Sequence, residues 1–427
     1  MADKLIDDCF AHDKKRLRHA EALAILRTRL QPVIDCERIP LAQAAGRTLG
    51  DAAVAIRPVP LHTNAAVDGF SFAFADYDTT AGREVPVEGR AAAGHPLCEG
   101  PKPGVAVRIF TGAVMPKGHD AVVMQEDVSS RGSDGPRSYI WIPGGLKRGA
   151  NVRKAGEDVK AGETLLDRGT VLRPQDLAAL ASIGLEEIVC FRRLTVAVVS
   201  TGDEVVSVGG ELGAGGVHDA NAPMLAPLIA GAGASSTYLG VLRDDRETVK
   251  KRLAEAARAF DVVITTGGAS RGEEDHIVAA LDQLGKRHLW QLAIKPGRPM
   301  SFGQIGNCVL VGLPGNPVAV FVCFLLYVWP MLRRMGGAKW PEPRRFSLPA
   351  MFAFPDRKVG RREFWRGTLH ETPAGLAVDK FARDGSGLIS GLRAADGLIE
   401  IGEEVPSVHV GDLVAFIPFT EFGIPAR

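Results

Sequence analysis

The sequence lacks the marks of stapled, metal-built and nucleic-acid-binding proteins. Its six cysteines stand at 9, 36, 98, 190, 308 and 323 with no CxxC pair, and none of its ten histidines falls into an HxxxH spacing. That spacing argues against a structural zinc site, and single scattered cysteines read as buried thiols in a reducing cytosol. Charge of one sign is missing as well. Lysine plus arginine number 51 against 50 aspartate plus glutamate, a net charge of +1. Such a balance gives no electrostatic footprint for nucleic acid or for an anionic membrane. Neither a GxxxxGK[ST] loop nor a GxGxxG opening a helix after a strand is present, so a nucleotide would not bind through those cradles.

Long hydrophobic runs are also scarce. The beginning, MADKLIDDCFAHDKKRLRHAE, carries charges where a signal peptide needs an apolar core. Residues 313–332 carry no charge, but only Val318 to Trp329 is uninterrupted. As a helix that run spans about 18 Å, against a membrane core of about 30 Å. Asn316 as N-cap and Pro317 at the first helical position describe instead a buried helix of a globular domain.

What the sequence has in excess is glycine, 49 residues, where a protein of this size usually carries about 30. Many tight turns and close backbone approaches follow. Apolar residues at 46% and charged residues at 24% are ordinary for a globular chain, and 427 residues suggest about three domains. Residues 12–30 read as an amphipathic helix with Leu17, Ala20, Leu23, Ala24 and Leu30 on one stripe. From about 56 to 148, short β-branched runs such as VAVRIF (105–110) and AVVMQ (121–125) alternate with Gly/Pro turns, the pattern of a small β domain. A helix follows Pro174. Residues 194–335 then show three apolar strands, TVAVVS (195–200), VVITT (262–266) and CVLVGL (308–313), separated by helical patterns, the clearest at 245–260. Strands of this kind indicate a parallel sheet covered on both sides. After Pro341 and Pro343 short strands and turns return up to residue 427. The expected division is a helical and linking domain of 1–55 with 149–190, a small β domain of 56–148, a three-layer α/β domain of 191–340 and a C-terminal β domain of 341–427.

Each of the three strands runs into a glycine-bearing loop, and ligands of such sheets bind beyond the strand C-termini. Asp203 and Glu204 follow Ser200-Thr201-Gly202, and Glu273, Glu274 and Asp275 close the loop that starts at Gly267-Gly268. Helix capping explains some of these carboxylates. Glycines and hydroxyls beside them also suit backbone amides approaching a phosphate, with Mg²⁺ held by the acids. The segment 293–303, AIKPGRPMSFG, reads as a proline-stiffened loop in which Lys295 and Arg298 suit an oxyanion, although surface charge explains them equally. Pro314, Gly315, Asn316 and Pro317 open a helix, whose amides form a further anion site. Asp68 and Asp158 each sit in a glycine turn and, taken singly, are ordinary turn residues.

Seven segments taken in order, AVDGF (66–70), IFTGAVMPKGHDAVVMQED (109–127), VRKAGEDV (152–159), VVSTGDE (198–204), TTGGASRGEED (265–275), AIKPGRP (293–299) and GLPGNPVAVF (312–321), resemble the molybdopterin molybdenumtransferase family, bacterial MoeA and the E domain of gephyrin. They span about 260 residues in the family's order. The resemblance implies an elongated homodimer of four-domain chains. It implies a cytoplasmic, Mg²⁺-dependent enzyme that inserts molybdenum from molybdate into adenylylated molybdopterin and releases AMP. As further partners it implies the adenylyltransferase of the same pathway and recipient molybdoenzymes.

By the same resemblance the catalytic residues are Asp68, Asp158, Glu204, Asp275 and Lys295, with Glu204 and Asp275 holding the metal. Substrate contacts fall on Thr111, Gly112, Arg153, Thr201, Gly202, Asp203, Gly267, Gly268, Ser270, Arg298, the Pro314–Pro317 loop, Arg362 and Ser386. The chain departs from the family's pattern at three places. A GGVSVG loop is replaced by Gly267-Gly268-Ala269-Ser270-Arg271-Gly272, a serine after PGNPV by Ala319, and a lysine after KPG by Arg298. These bear on the oxyanion and leave molybdate and tungstate both open. The alternative function is a non-catalytic molybdopterin-binding scaffold or delivery protein.

Overall fold

A computed structural model describes residues 16–131, 138–243, 245–267, 276–297 and 299–426. It divides the chain into a larger unit of Met1–Asp51, Arg168–Leu172 and Ile188–Arg427 and a smaller unit of Ala52–Asp167 and Arg173–Glu187.

In the larger unit, helix α1 covers His19–Arg29. It starts later than the 12–30 pattern suggests because Leu17 is held extended beside Leu292. The Leu17 N–H donates to Gln291 O at 2.9 Å, and the Ala293 N–H to Leu17 O at 2.8 Å. The buried stripe is His19, Ala22, Leu26 and Leu30, whereas Ala20 and Ala24 face out. Of the expected stripe Leu17 and Leu30 are buried and Leu23 packs against the core, while counting apolar letters missed the buried histidine and wrongly included the two alanines.

The central sheet is built from β1 (Thr195–Thr201), β2 (Ser235–Leu242), β3 (Val262–Thr266), β4 (Lys286–Gln291), β6 (Pro299–Ile305) and β7 (Cys308–Leu313). Between β4 and β6 lies a two-residue strand, β5 (Ile294–Lys295), that belongs to another sheet. The order in the central sheet is β2-β1-β3-β7-β6-β4. The first four strands are parallel; β6 and β4 run antiparallel at one side. Within 293–303, Ile294–Lys295 and the beginning of Pro299–Ile305 are therefore strands, and Lys295 stands in a strand and not in a loop. Pro299, which signals a break, occupies the first residue of β6, where the missing ladder N–H is tolerated.

Helices α2 (Asn221–Gly231), α3 (Arg246–Ala259) and α4 (His276–Leu284) connect the strands. Asp245 caps α3 by accepting the Thr248 N–H at 2.8 Å, and Val249, Leu253 and Ala256 form its buried face as the spacing requires. Alternate residues of β1 enter two different cores. Val196 and Val198 pack with Phe302, Val311 and the apolar helix after β7, while Ala197 and Val199 pack with Leu253 and Leu281. That is the three-layer α/β arrangement.

Helix α5 runs Pro317–Cys323, widens into a π-helical turn at Phe324–Val328 and continues Trp329–Met335. Pro330 accounts for the widening: its ring would crowd the carbonyl four residues earlier and it has no N–H to donate. This is the uncharged run of the sequence, and its most apolar stretch is 89% buried within the unit. Each fully buried side chain of the size of Phe324 contributes about 1.5–3 kcal/mol.

The C-terminal part is a second sheet, in which β5 lies parallel to β8 (Arg362–Thr372), followed by Gly397–Ile401, Leu413–Pro418 and Phe346–Pro349. In the smaller unit a six-stranded sheet has the order Ala121–Met124, Gly69–Phe72, Ala106–Ile109, Arg83–Ala91, Ser138–Ile142, Ser129–Arg131. Phe72, Val85 and Val123 fill one of its faces and Val107, Ile109 and Val122 the other. The protein is multidomain α/β plus β, as its sequence pattern indicates.

Candidate active site

The register of the parallel strands brings their loops side by side. Ser200 lies opposite Thr266, and Thr266 opposite Leu313. The Thr201-Gly202, Gly267 and Pro314 segments therefore leave the sheet at one level. Thr201 donates its hydroxyl to Thr266 O at 3.2 Å, and the Gly267 N–H donates to Leu313 O at 3.1 Å. Gly267 has φ +96°, and a Cβ there would stand 2.6 Å from Thr201 Oγ1, so the crossing of the two loops requires glycine. Asp203 and Glu204 occupy the turn closed by the Val205 N–H on Gly202 O at 3.0 Å, with both side chains exposed. Of the residues read from the sequence, this edge gathers Thr201, Gly202, Asp203, Glu204, Gly267, Pro314 and Gly315.

Below that edge lies a network that the sequence reading missed. Asp219, 4% exposed, accepts the Ser200 hydroxyl at 2.5 Å and the Tyr238 hydroxyl at 2.8 Å. Asn221, beside it, donates its amide to Gly315 O at 2.8 Å. Nothing in HDANAP distinguishes these residues from an ordinary helix start.

Lys295 lines a cavity of about 480 Å³ in the larger unit, together with Pro314, Asn316, Ala319, Arg366, Lys380 and Ser386. The pairing of β5 with β8 places Lys295 opposite Glu363. Its Nζ is 3.6 Å from Glu363 Oε2, which is ion-pair range and longer than a hydrogen bond. Glu363 is 2% exposed. It also accepts the Trp365 indole N–H at 2.9 Å and faces Arg357 Nε at 3.6 Å. Arg357 already neutralises that buried carboxylate, so the Lys295 charge remains to attract an anion in the cavity. Phe364, Trp365 and Phe381 supply apolar wall around it.

Ser386 accepts the Val318 N–H on its carbonyl at 2.9 Å, which ties the C-terminal part to the start of α5. Arg362 does not line the cavity; its guanidinium is held by Glu400 at 2.6 Å and Glu403 at 2.8 Å. Among the described residues the arginine that lines it is Arg366, four residues further along the same strand and so on the same face. Period two alone cannot choose between them. The Arg366 guanidinium donates to Arg383 O at 2.8 Å and Leu388 O at 3.1 Å, which shapes the loop carrying Ser386.

In the smaller unit, Asp68 Oδ1 accepts both the backbone N–H of Thr111 at 2.8 Å and its hydroxyl at 2.7 Å. Those two bonds hold the Asp68 carboxyl below the ordinary carboxylate range. The next residue must be glycine, because a Cβ on Gly69 would lie 1.9 Å from Val123 O. The Gly112 N–H donates to Ala65 O at 2.8 Å, and Arg153 pairs with Asn64. Asp68, Thr111, Gly112 and Arg153 thus share one neighbourhood. Asp158 lies further along the same ribbon, its N–H on Val59 O at 3.0 Å, and is exposed.

Gly268, Ser270, Asp275 and Arg298 lie outside the described residues. Among the described residues no group of three His, Cys, Asp or Glu is arranged to hold a metal. Glu204 offers one oxygen ligand of the kind a hard cation takes.

Comparison with known proteins identifies the family. Residues 17–184 match the model of the MoeA N-terminal region (domain I and II), 197–334 that of a probable molybdopterin binding domain, and 349–419 that of the MoeA C-terminal region (domain IV). The chain is 36% identical to molybdopterin molybdenumtransferase of Haemophilus influenzae over 90% of its own length and 94% of that protein's. It is 32% identical to molybdopterin molybdenumtransferase 2 of Mycobacterium tuberculosis, covering 87% of this chain and 92% of the relative. The crystal structure of the molybdopterin biosynthesis moeA protein from Pyrococcus horikoshii OT3 superimposes with a TM-score of 0.81 at 29% identity, over 95% of this chain and 100% of that one. The chain therefore belongs to the molybdopterin molybdenumtransferase family of transferases, and its role is in molybdenum cofactor biosynthesis.

Proposed function

We propose that this protein inserts molybdenum from molybdate into adenylylated molybdopterin, with release of AMP. The observation that carries the reading is the cavity in which Lys295 faces the start of α5 at Asn316. A tetrahedral dianion suits a compact ammonium with three donors, beside a helix start that favours negative charge. Adenylylated pterin, with its phosphates, suits the three loops at the carboxyl end of the sheet. Asp68 and Asp158 complete the catalytic set in this reading, with Thr111, Gly112 and Arg153 as substrate contacts beside them.

Mg²⁺ belongs to the same proposal. Glu204, with Asp275, would hold it, and the ion would neutralise substrate phosphate. The two carboxylates are oxygen donors of the class Mg²⁺ takes, usually as one or two per site. The protein acts as a homodimer in the cytoplasm, alongside the adenylyltransferase of its pathway and recipient molybdoenzymes, with four domains bounded as the sequence divides them.

The deciding assay supplies adenylylated molybdopterin, molybdate and Mg²⁺ and follows AMP. Wild-type protein should release AMP and form cofactor. Lys295→Ala should raise the molybdate concentration for half-maximal rate by roughly 10- to 150-fold, the scale of one charge-assisted hydrogen bond, and leave the requirement for pterin nearly unchanged. A normal molybdate dependence in that variant would remove Lys295 from the oxyanion site. Ala319, which lines the cavity without a hydroxyl, favours a second reading, a cofactor-binding delivery protein. Tight pterin binding without turnover would establish that one instead.

A further inference from the structure

Polar groups buried in the larger unit concentrate under one edge of its sheet. Ser200, Thr201, Asp219, Asn221, Thr265 and Thr266 are each at most 8% exposed. At their centre the Asp219 carboxylate is fully subscribed. Its Oδ1 accepts the N–H groups of Asn221 at 3.0 Å and Ala222 at 3.1 Å, and its Oδ2 accepts the hydroxyls of Ser200 and Tyr238. A capping aspartate needs only the first pair. The second pair reaches out of the helix to Ser200, near the end of β1, and to Tyr238, within β2. Ser200 in turn receives the Thr266 hydroxyl from β3 at 3.3 Å.

Asn221 extends the chain of contacts to the third loop. Its amide nitrogen must face Gly315 O, since the reverse orientation would set two carbonyls against each other. Asn221 Oδ1 is then left buried without a partner among the described residues. An unpaired buried acceptor is costly, so a residue kept only for packing has better alternatives than asparagine. The useful product of this arrangement is a fixed distance between Ser200, which precedes Thr201-Gly202, and Gly315.

We propose that Asp219 is a positioning residue for the reaction. Through Ser200 and Asn221 it sets the spacing of the loops after β1 and β7, so that substrate meets both at once. The inference rests on the reading that adenylylated pterin binds at this edge of the sheet.

The test measures kcat, KM for adenylylated molybdopterin and the urea midpoint in Asn221→Ala, Ser200→Ala, the double variant and Asp219→Asn. Each single alanine variant should raise KM about tenfold, the scale of one neutral hydrogen bond, with kcat changed less than about twofold. Because both act through one strut, the double variant should also lie near tenfold, not near the hundredfold of independent sites. If Asp219→Asn fails to fold, the two alanine variants decide alone, since each leaves the carboxylate in place. Unchanged KM with a lowered urea midpoint makes the network purely structural and overturns the inference, as do fully multiplicative effects. Wild-type protein that neither binds nor turns over the pterin overturns the underlying reading and this inference with it. An active wild type whose variants keep its KM overturns the inference alone.

Discussion

Strand β1 is clamped by an aspartate at each end, half-buried Asp261 and buried Asp219, and the two clamps are built from different chemistry. At the amino end Asp261 takes Arg192 through two bonds, at 2.6 and 2.7 Å, together with the N–H and hydroxyl of Thr195 at 2.8 and 2.9 Å. At the carboxyl end Asp219 takes two hydroxyls and two backbone N–H groups, with no cation bonded to it among the described residues. An ion pair that is partly open to water fastens a sheet margin without reaching a ligand. A carboxylate satisfied by neutral donors lies instead beneath the loops proposed to receive phosphate, with no arginine bonded to it among the described residues. One end is therefore a fastening and the other a template. Mutations can separate those roles because they act on the same strand.

The largest expected effect is on stability at the amino end. Asp261→Ala removes four hydrogen bonds to a charged group, each worth about 1.5–3 kcal/mol. The fastening idea requires a urea midpoint lowered accordingly, with KM for adenylylated molybdopterin unaltered. A severalfold shift in KM would erase the distinction between the two ends. The acid limb gives an independent check. Burial pushes the Asp261 carboxyl up, but bonds from Arg192 and Thr195 outweigh it and leave it below the ordinary carboxylate value. A depressed carboxyl contributes stability that is present above its unfolded pKa of about 3.9 and is lost as pH falls through the folded value. Titrating wild type and Asp261→Asn from pH 6 downward should show a larger loss below about pH 4 in wild type, since the other depressed carboxylates contribute equally to both. Matching acid limbs would mean that the pair contributes nothing.

A second limb, at higher pH, belongs to His19. Its ring is buried, with Nδ1 2.8 Å from the Tyr327 hydroxyl, and burial lowers its pKa to about 4. A histidine held neutral stabilises above its unfolded pKa near 6.5 and loses that contribution as pH falls toward about 4. Wild type should therefore weaken more between those values than His19→Gln, in which only the lesser contribution of His119, also lowered by burial, is left among the histidines with a resolved shift. Should both variants share one curve there, the limb has another source, and only the region below pH 4 informs on Asp261.

How far the sequence discloses all this follows the same physics. The apolar runs of β1, β3 and β7 are legible because a strand buried on both faces must be apolar throughout. Strand β2 is not, because it is an edge strand of the sheet and Leu242 alone among its eight residues is buried. Strand β6 was hidden behind Pro299. Among site residues, Lys295, Thr201 and the Pro314–Pro317 loop are visible from glycine and proline punctuation. Asp219 and Asn221 are invisible, since their bonds to Ser200 and Gly315 join segments far apart in the chain and leave no local spacing. Arg366 was missed for Arg362 because both occupy one face of β8, and only the partners Glu400 and Glu403 tell them apart.

The smallest and sharpest prediction places one substitution at both ends of one strand. Thr195→Val and Thr201→Val each exchange a hydroxyl for a methyl with little change in volume. Thr195 donates to a carboxylate, so its loss should lower stability by about 1.5–3 kcal/mol and leave catalysis alone. Thr201 donates to the carbonyl of Thr266 at 3.2 Å, a neutral bond worth about 0.5–1.5 kcal/mol. Its effect on the urea midpoint should be the lesser of the two. Its hydroxyl, however, lies against Gly267, where two loops cross. A methyl there has no attraction for the facing carbonyl and should shift the crossing, raising KM for adenylylated molybdopterin about threefold to tenfold by the same hydrogen-bond scale. Paired kinetic and denaturation measurements then give opposite rankings for the two variants. If Thr195→Val raised KM as much as Thr201→Val, strand β1 would transmit strain along its whole length, and the carboxyl end would lose its claim to be the template.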